Sequence, residues 1–241
     1  MTTTAILFGS IGVIAETSNV QRQAYNQALK EAGLDWQWDE ETYSDLLEMS
    51  GGRDRLGMLG RATGQPLSET AIAKIHTRKT ELASTVIRQA GKLRPGVAAL
   101  AQYAKSRSIA LGFVTSTYQP NIDAILGAEG VELSAHDFDV IVTRDDVTLG
   151  KPAPDPYTHA LGKLGIEASN ALVIEDTTAS IASARRAGIE VIATPGALTA
   201  EQDFHEASLV LPSLADAAGA LHPQVTKMIR GEAHLQLHAV N

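Results

Sequence analysis

The sequence predicts an α/β fold: a doubly wound parallel sheet, interrupted after its first strand by a helical insertion. Short apolar runs bounded by turn residues recur along the chain, and segments of helical spacing fill most of the gaps between them. One long interval near the N-terminus carries helical patterns and no good strand. Strand alternating with helix implies a parallel sheet covered on both faces, because each crossover helix lies on one face or the other.

In chain order, residues 5–8, 109–114, 140–142, 171–174, 191–193 and 209–211 read as buried strands. Helical spacing covers 97–105, 121–126, 157–164 and 180–187, with Gly165 and Gly188 as stop signals at two of the ends. The interval 17–90 breaks this rhythm with helical stretches at 20–32, 40–48 and 68–89. Leu93-Arg94-Pro95-Gly96 then forms a turn that returns the chain to the α/β part. The division that follows is a core of 1–16 and 91–241 with an insertion of 17–90. The tail after Leu214 has one more helical stretch and a polar end, to which no function is assigned.

Composition narrows the function classes. The chain of 241 residues is 44% hydrophobic and 20% charged, within the ordinary globular range. A formal charge of -8 disfavours nucleic acid and anionic membrane as partners, since no basic run exists to release counterions from a polyanion. No apolar stretch approaches the roughly 20 residues that span a bilayer, and the N-terminus lacks a secretion pattern, so a cytoplasmic protein is expected. The absence of cysteine excludes disulfides, thiol nucleophiles and cysteine-ligated zinc.

Ligands of such sheets bind at the carboxyl ends of the strands, so the informative residues follow each apolar run. Four places stand out: the opening loop Gly9 to Gly12; Thr115-Ser116-Thr117, whose hydroxyls and N–H groups at a helix start can hold phosphate; Lys151 in a Pro-rich loop, able to neutralise an anion; and Glu175-Asp176, suited to a hard cation. Each alone has a bland reading, as a helix cap, a solvated lysine or a capping acid pair. Together, and in this order at strand termini, they point to a phosphate site. His76, His136, His159, His205 and His222 are scattered, and His234 with His238 in the tail is a poor metal signal.

Over nearly its whole length the chain resembles the haloacid dehalogenase superfamily, with a Rossmann-like core, and most closely its CbbY-type sugar-phosphate phosphatases, neighbours of β-phosphoglucomutase. The resemblance rests on "AGLDWQWDEETY", "LLEMSGGRDRL", "LRPGV", "VTSTYQPNI", "GKPAPDPY", "VIEDTTASIASARRAG" and "TPGALTAEQDF". It implies that 17–90 is a cap closing over a small phosphorylated metabolite, a sugar phosphate. It implies that Thr115 and Ser116 bind the phosphoryl group, Lys151 neutralises it, and Asp176 with Glu175 helps hold Mg²⁺. It also places Arg53, Glu16 and Arg22 toward the substrate, and Gln21 where such sequences often carry histidine. It says nothing of oligomeric state.

The family's first motif is Asp-x-Asp-Gly, in which the first aspartate attacks phosphorus and the second serves as general acid and base. Here Gly9 and Ile11 hold those positions, and Gly12 is retained. No catalytic residue of that motif is intact, and Ser10 should point away from the site in an extended strand end. Loss of a nucleophile typically costs on the order of 10⁴ to 10⁶ in rate. The expectation is therefore an impaired member that keeps a phosphosugar pocket and binds Mg²⁺ weakly or not at all. Glycine at position 9 is expected to leave room beside Thr115 for an anion or a water. Two other readings stand beside this one: a non-catalytic module for a protein partner, and a hydrolase with an unrecognised nucleophile or a metal-activated water.

Overall fold

A computed structural model describes residues 3–9, 11–49 and 51–232; Ser10, His234 and His238 lie outside them. The chain begins with β1 (Ala5–Phe8) and a one-turn helix α1 (Ile11–Ile14), then enters the insertion: α2 (Ser18–Glu31), α3 (Glu40–Leu47), α4 (Gly52–Ala62) and α5 (Glu69–Ala90). The remainder alternates as α6 (Val97–Lys105), β2 (Ala110–Val114), α7 (Gln119–Leu126), β3 (Val140–Val142), α8 (Asp155–Leu164), β4 (Ala171–Glu175), α9 (Thr178–Arg186), β5 (Glu190–Ala193), β6 (Leu209–Val210) and α10 (Pro223–Ile229).

Among the described residues the strands form one parallel sheet of order β3-β2-β1-β4-β5-β6. The order reverses about β1, which places its end at the crevice where such sheets take ligands. Alternation along each strand feeds two cores. Ile6, Phe8, Phe113 and Ile174 face α6, α7 and α10, whereas Leu7, Val114 and Val173 face α8 and α9. A third apolar cluster, built on Tyr25, Leu29, Trp38, Tyr43 and Leu56, holds the insertion together.

Local signals explain the helix starts. Asp39 accepts from the Thr42 N–H at 2.8 Å and Ser68 from the Ala71 N–H at 3.2 Å, each satisfying a donor the first helical turn leaves unpaired. Gly96, at φ 88°, opens α6 in the left-handed region beside the Leu214 backbone, where a Cβ would collide. Arg94 fastens the return from the insertion: its guanidinium donates to the carbonyls of Gly12 (3.0 Å), Thr194 (2.7 Å) and Pro195 (2.7 Å).

The one-turn α1 begins inside what the sequence reads as the opening loop, and of the longer helices α4 is the one the sequence reading did not place. Gly57 and Gly60 lie within it, and each glycine costs roughly 1 kcal/mol of helix propensity relative to alanine. Packing overrides that cost, because a Cβ at Gly60 would press against the Gln65 carbonyl and the Leu67 nitrogen.

Candidate functional site

Register builds the floor of the site. In the β1–β4 ladder Phe8 lies opposite Ile174, and the Gly9 N–H continues the ladder by donating to the Ile174 carbonyl at 2.8 Å. Residue 9 and Glu175 are therefore neighbours whose side chains would share one face. Because residue 9 is glycine, Glu175 leans across into that space. A Cβ at Gly9 would overlap the Glu175 carboxylate carbon and Oε1, with Oε2 only 2.6 Å away. The room expected there for an anion or water is filled by the protein's own carboxylate.

This carboxylate is tightly held. Lys151 Nζ donates to Glu175 Oε1 at 2.5 Å and also lies within reach of the Gly9 carbonyl (2.6 Å), the Val114 carbonyl (2.9 Å) and the Tyr157 hydroxyl (3.2 Å). The Tyr157 hydroxyl donates to the same Glu175 oxygen at 2.5 Å. Both side chains of the ion pair are buried, at 1% and 0% exposure, so solvent does not screen it. Burial and the adjacent Glu175 raise the Tyr157 pKa, which keeps the hydroxyl protonated as a donor.

Above this floor lies a cavity of about 130 Å³ between the strand ends and the insertion. Ile11, Thr115, Ser116, Lys151 and Asp176 line it from the core, and Gln21, Tyr25, Arg55, His76 and Lys79 from the insertion. The structure thus brings together residues from the ends of β1, β2 and β4 that the sequence singled out. Gly9 and Glu175 sit beneath the lining.

Three expected substrate-facing residues do not line this cavity. Glu16 accepts from the Ser18 N–H at 3.0 Å and the Ala197 N–H at 2.9 Å, tying the start of α2 to the loop after β5. Arg22 turns toward the body of the insertion, donating to the Trp38 carbonyl at 3.1 Å and pairing with Glu40 at 3.5 Å. Arg53 lies over the Tyr118 ring, 4.8 Å from its centroid, and borders a second groove. Its neighbour Arg55 is the arginine that reaches the cavity: two residues along a helix turn a side chain to another face.

The cationic groups of the insertion end were not foreseen. Lys79 is 6% exposed, with its ammonium 4.8 Å from the Tyr25 ring centroid. Burial, aided by Arg55, lowers its pKa to about 7. His76 is lowered to about 3 by burial and then by Lys79, Arg53 and Arg55, so its imidazole is neutral at ordinary pH. Among the described residues neither Lys79 nor Arg55 has a carboxylate partner. Both amide atoms of Gln21 and the Tyr25 hydroxyl are buried without a hydrogen-bond partner there. A legible signal existed for Lys79: it interrupts the buried stripe Ile75, Ala83, Ile87 at four-residue spacing, where a lysine is rarely placed without cause.

Of the two acids the resemblance assigns to Mg²⁺, Asp176 lines the cavity and Glu175 is turned to Lys151 beneath it. Among the described residues no three His, Asp or Glu side chains group closely enough to hold a metal ion, and Glu175 is engaged by Lys151. A hard divalent cation needs several oxygen ligands, and this floor offers it few charged ones.

Residues 6–194 match the family described as haloacid dehalogenase-like hydrolase. The chain belongs to that family. Within it this haloacid dehalogenase-like chain is CbbY-like: it is 38% identical over 223 residues to protein CbbY of Rhodobacter capsulatus, covering 92% of this chain and 98% of that one. Among solved structures it is similar to CbbY from Rhodobacter sphaeroides in complex with phosphate, with a TM-score of 0.81 and 35% identity over 90% of this chain and 98% of that chain. A mutant of the Rhodobacter sphaeroides protein in complex with xylulose-(1,5)-bisphosphate gives a TM-score of 0.82 and 34% identity, covering 91% and 100% of the two chains. The fold and the CbbY-like phosphatase family are thereby established. No helix among the described residues is long and apolar enough to cross a membrane.

Proposed function

We propose that this CbbY-like chain binds a phosphorylated sugar in the cavity between its helical cap and the strand ends, and does not hydrolyse it. The observation that carries the binding is the buried Lys79 ammonium beside Arg55, with no carboxylate partner among the described residues. A buried charge without a counter-ion is costly, and an anionic ligand supplies the missing partner. Gln21 and Tyr25, buried and unpartnered in the same lining, suit the hydroxyls of a sugar. The Rhodobacter sphaeroides relative's complexes with phosphate and with xylulose-(1,5)-bisphosphate support the same ligand class.

Gly9 at the nucleophile position and Ile11 at the acid–base position support the loss of hydrolysis. Glu175 is a poor substitute nucleophile, because it is fully buried and lies outside the cavity lining. Weak or absent Mg²⁺ binding follows from the depleted donor set. The large exposed apolar side chains Val86, Leu149 and Val210 sit on α5, the loop before Lys151 and the edge strand β6. Singly exposed apolar residues are ordinary and do not favour a protein-partner reading.

The test is a calorimetric titration with xylulose-(1,5)-bisphosphate, with and without Mg²⁺. Saturable binding is expected in both, and absence of binding in both contradicts the proposal. Lys79→Met is expected to weaken it by about 10- to 100-fold, the usual worth of a charge-assisted hydrogen bond.

The pH profile carries the same signature. Lys79 faces Arg55 on α4, His76 on its own helix, and Tyr25 on α2. With a value near 7 in the free protein, its ammonium is fully present below that pH and is lost above it. A bound anion favours the charged form, so affinity falls as pH rises beyond about 7, by up to about tenfold per unit. Phosphate itself gains its second charge near pH ~6. Binding is expected to be strongest between these values, and a flat profile from pH 6 to 9 would exclude Lys79 as the anion's partner.

A further inference from the structure

We infer that Glu175 stands in for the side chain missing at residue 9 and keeps the core end of the cavity closed to anions, so that the phosphate is held at the Lys79–Arg55 end. This rests on the reading that a phosphorylated sugar binds in the cavity, and specifies where its anionic group goes.

Lys151 and the N–H groups of Thr115 and Thr117, which would hold an anion at the core, are already engaged. Lys151 Nζ, with three protons to give, has four oxygen acceptors within 3.2 Å, one of them the Glu175 carboxylate. The Thr115 N–H donates to the Val142 carbonyl at 2.8 Å, and the Thr117 N–H to Thr115 Oγ1 at 3.2 Å. The Lys151 charge is matched as well: its buried ammonium meets the buried Glu175 carboxylate. A phosphate brought to this floor would face the Glu175 carboxylate, with the Lys151 ammonium already paired to it.

The cause is the glycine. A side chain at residue 9 would overlap the Glu175 carboxylate in its present position, so this ion pair depends on Gly9. The carboxylate expected from β1 is supplied by β4, aimed at Lys151 from beneath the cavity lining. The insertion end differs: its cations have no such internal partner among the described residues, and its cavity-lining amide and hydroxyl are unpaired.

The experiment maps inorganic phosphate on the full-length protein by backbone amide NMR, in the native chain and in Glu175→Gln. In the native chain, shifts are expected around Arg55, His76 and Lys79, while Thr115 to Thr117 and Lys151 stay unmoved. Glu175→Gln removes the internal counter-ion from Lys151 and is expected to bring shifts at Thr115 to Thr117 and Lys151, with phosphate binding at least about tenfold tighter. Lys151→Met added to Glu175→Gln should abolish that gain. Native shifts at Thr115 to Thr117 and Lys151, a Glu175→Gln chain with no gain, or a gain that survives Lys151→Met would each overturn the inference. If Glu175→Gln does not fold, the native map decides alone: still amides at the strand ends uphold the closure, and moving ones refute it. A native chain that binds neither phosphate nor the sugar bisphosphate anywhere defeats the functional proposal, and leaves the closure to be judged from Glu175→Gln.

Discussion

Replacing Gly9→Asp and Ile11→Asp together is expected to raise aryl- or sugar-phosphate hydrolysis by at least about 10⁴ over the native chain, the lower range of what a lost nucleophile costs. Thr115, Lys151 and Asp176 already meet at the cavity, so the double replacement returns the two carboxylates to an assembled surround. It also forces a rearrangement, since an aspartate at residue 9 cannot coexist with Glu175 where it now sits. The displaced part is the far end of a flexible side chain, so the backbone of β4 need not move. Assay of initial rates in magnesium buffer checks this. A double variant as inert as the native chain would mean that more than the two positions has been lost.

The second large effect concerns stability. Lys151→Met leaves the fully buried Glu175 carboxylate with the Tyr157 hydroxyl but without its cation. Breaking a buried pair on one side typically costs about 3–5 kcal/mol, because the remaining charge stays desolvated. Removing both charges costs much less, since the pair's own attraction was largely offset by the desolvation of its members. Urea unfolding is therefore expected to give a markedly lowered midpoint for Lys151→Met and substantial recovery on adding Glu175→Gln. Equal losses in the single and double variants would contradict the internal-counter-ion account.

Much of the fold was legible because strands of a parallel sheet, buried on both faces, appear as apolar runs bounded by turns. β1 and β3 fall on the expected boundaries, and β2, β4, β5 and β6 differ at their ends by a single residue. Helix α4 was not legible, since its glycines lower helix propensity and only contact with neighbouring chain explains them. Convergence of Thr115, Lys151 and Asp176 could be read from their strand-end positions. The course of the Glu175 side chain could not, because it depends on a space left empty by a residue of another strand. Arg53 and Arg55 show the same limit: both lie in one basic turn, and only the helix's rotation decides which enters the cavity. Lys79 could have been found, being the single lysine set into an apolar stripe of α5.

Binding without hydrolysis can be read in a single experiment, ³¹P NMR of the native protein mixed with a stoichiometric amount of xylulose-(1,5)-bisphosphate in magnesium buffer. Shifted or broadened ligand resonances are expected, with no inorganic phosphate accumulating beyond a protein-free control. A growing inorganic phosphate signal, abolished by Asp176→Asn, would contradict it, as would ligand resonances identical to those of the free compound.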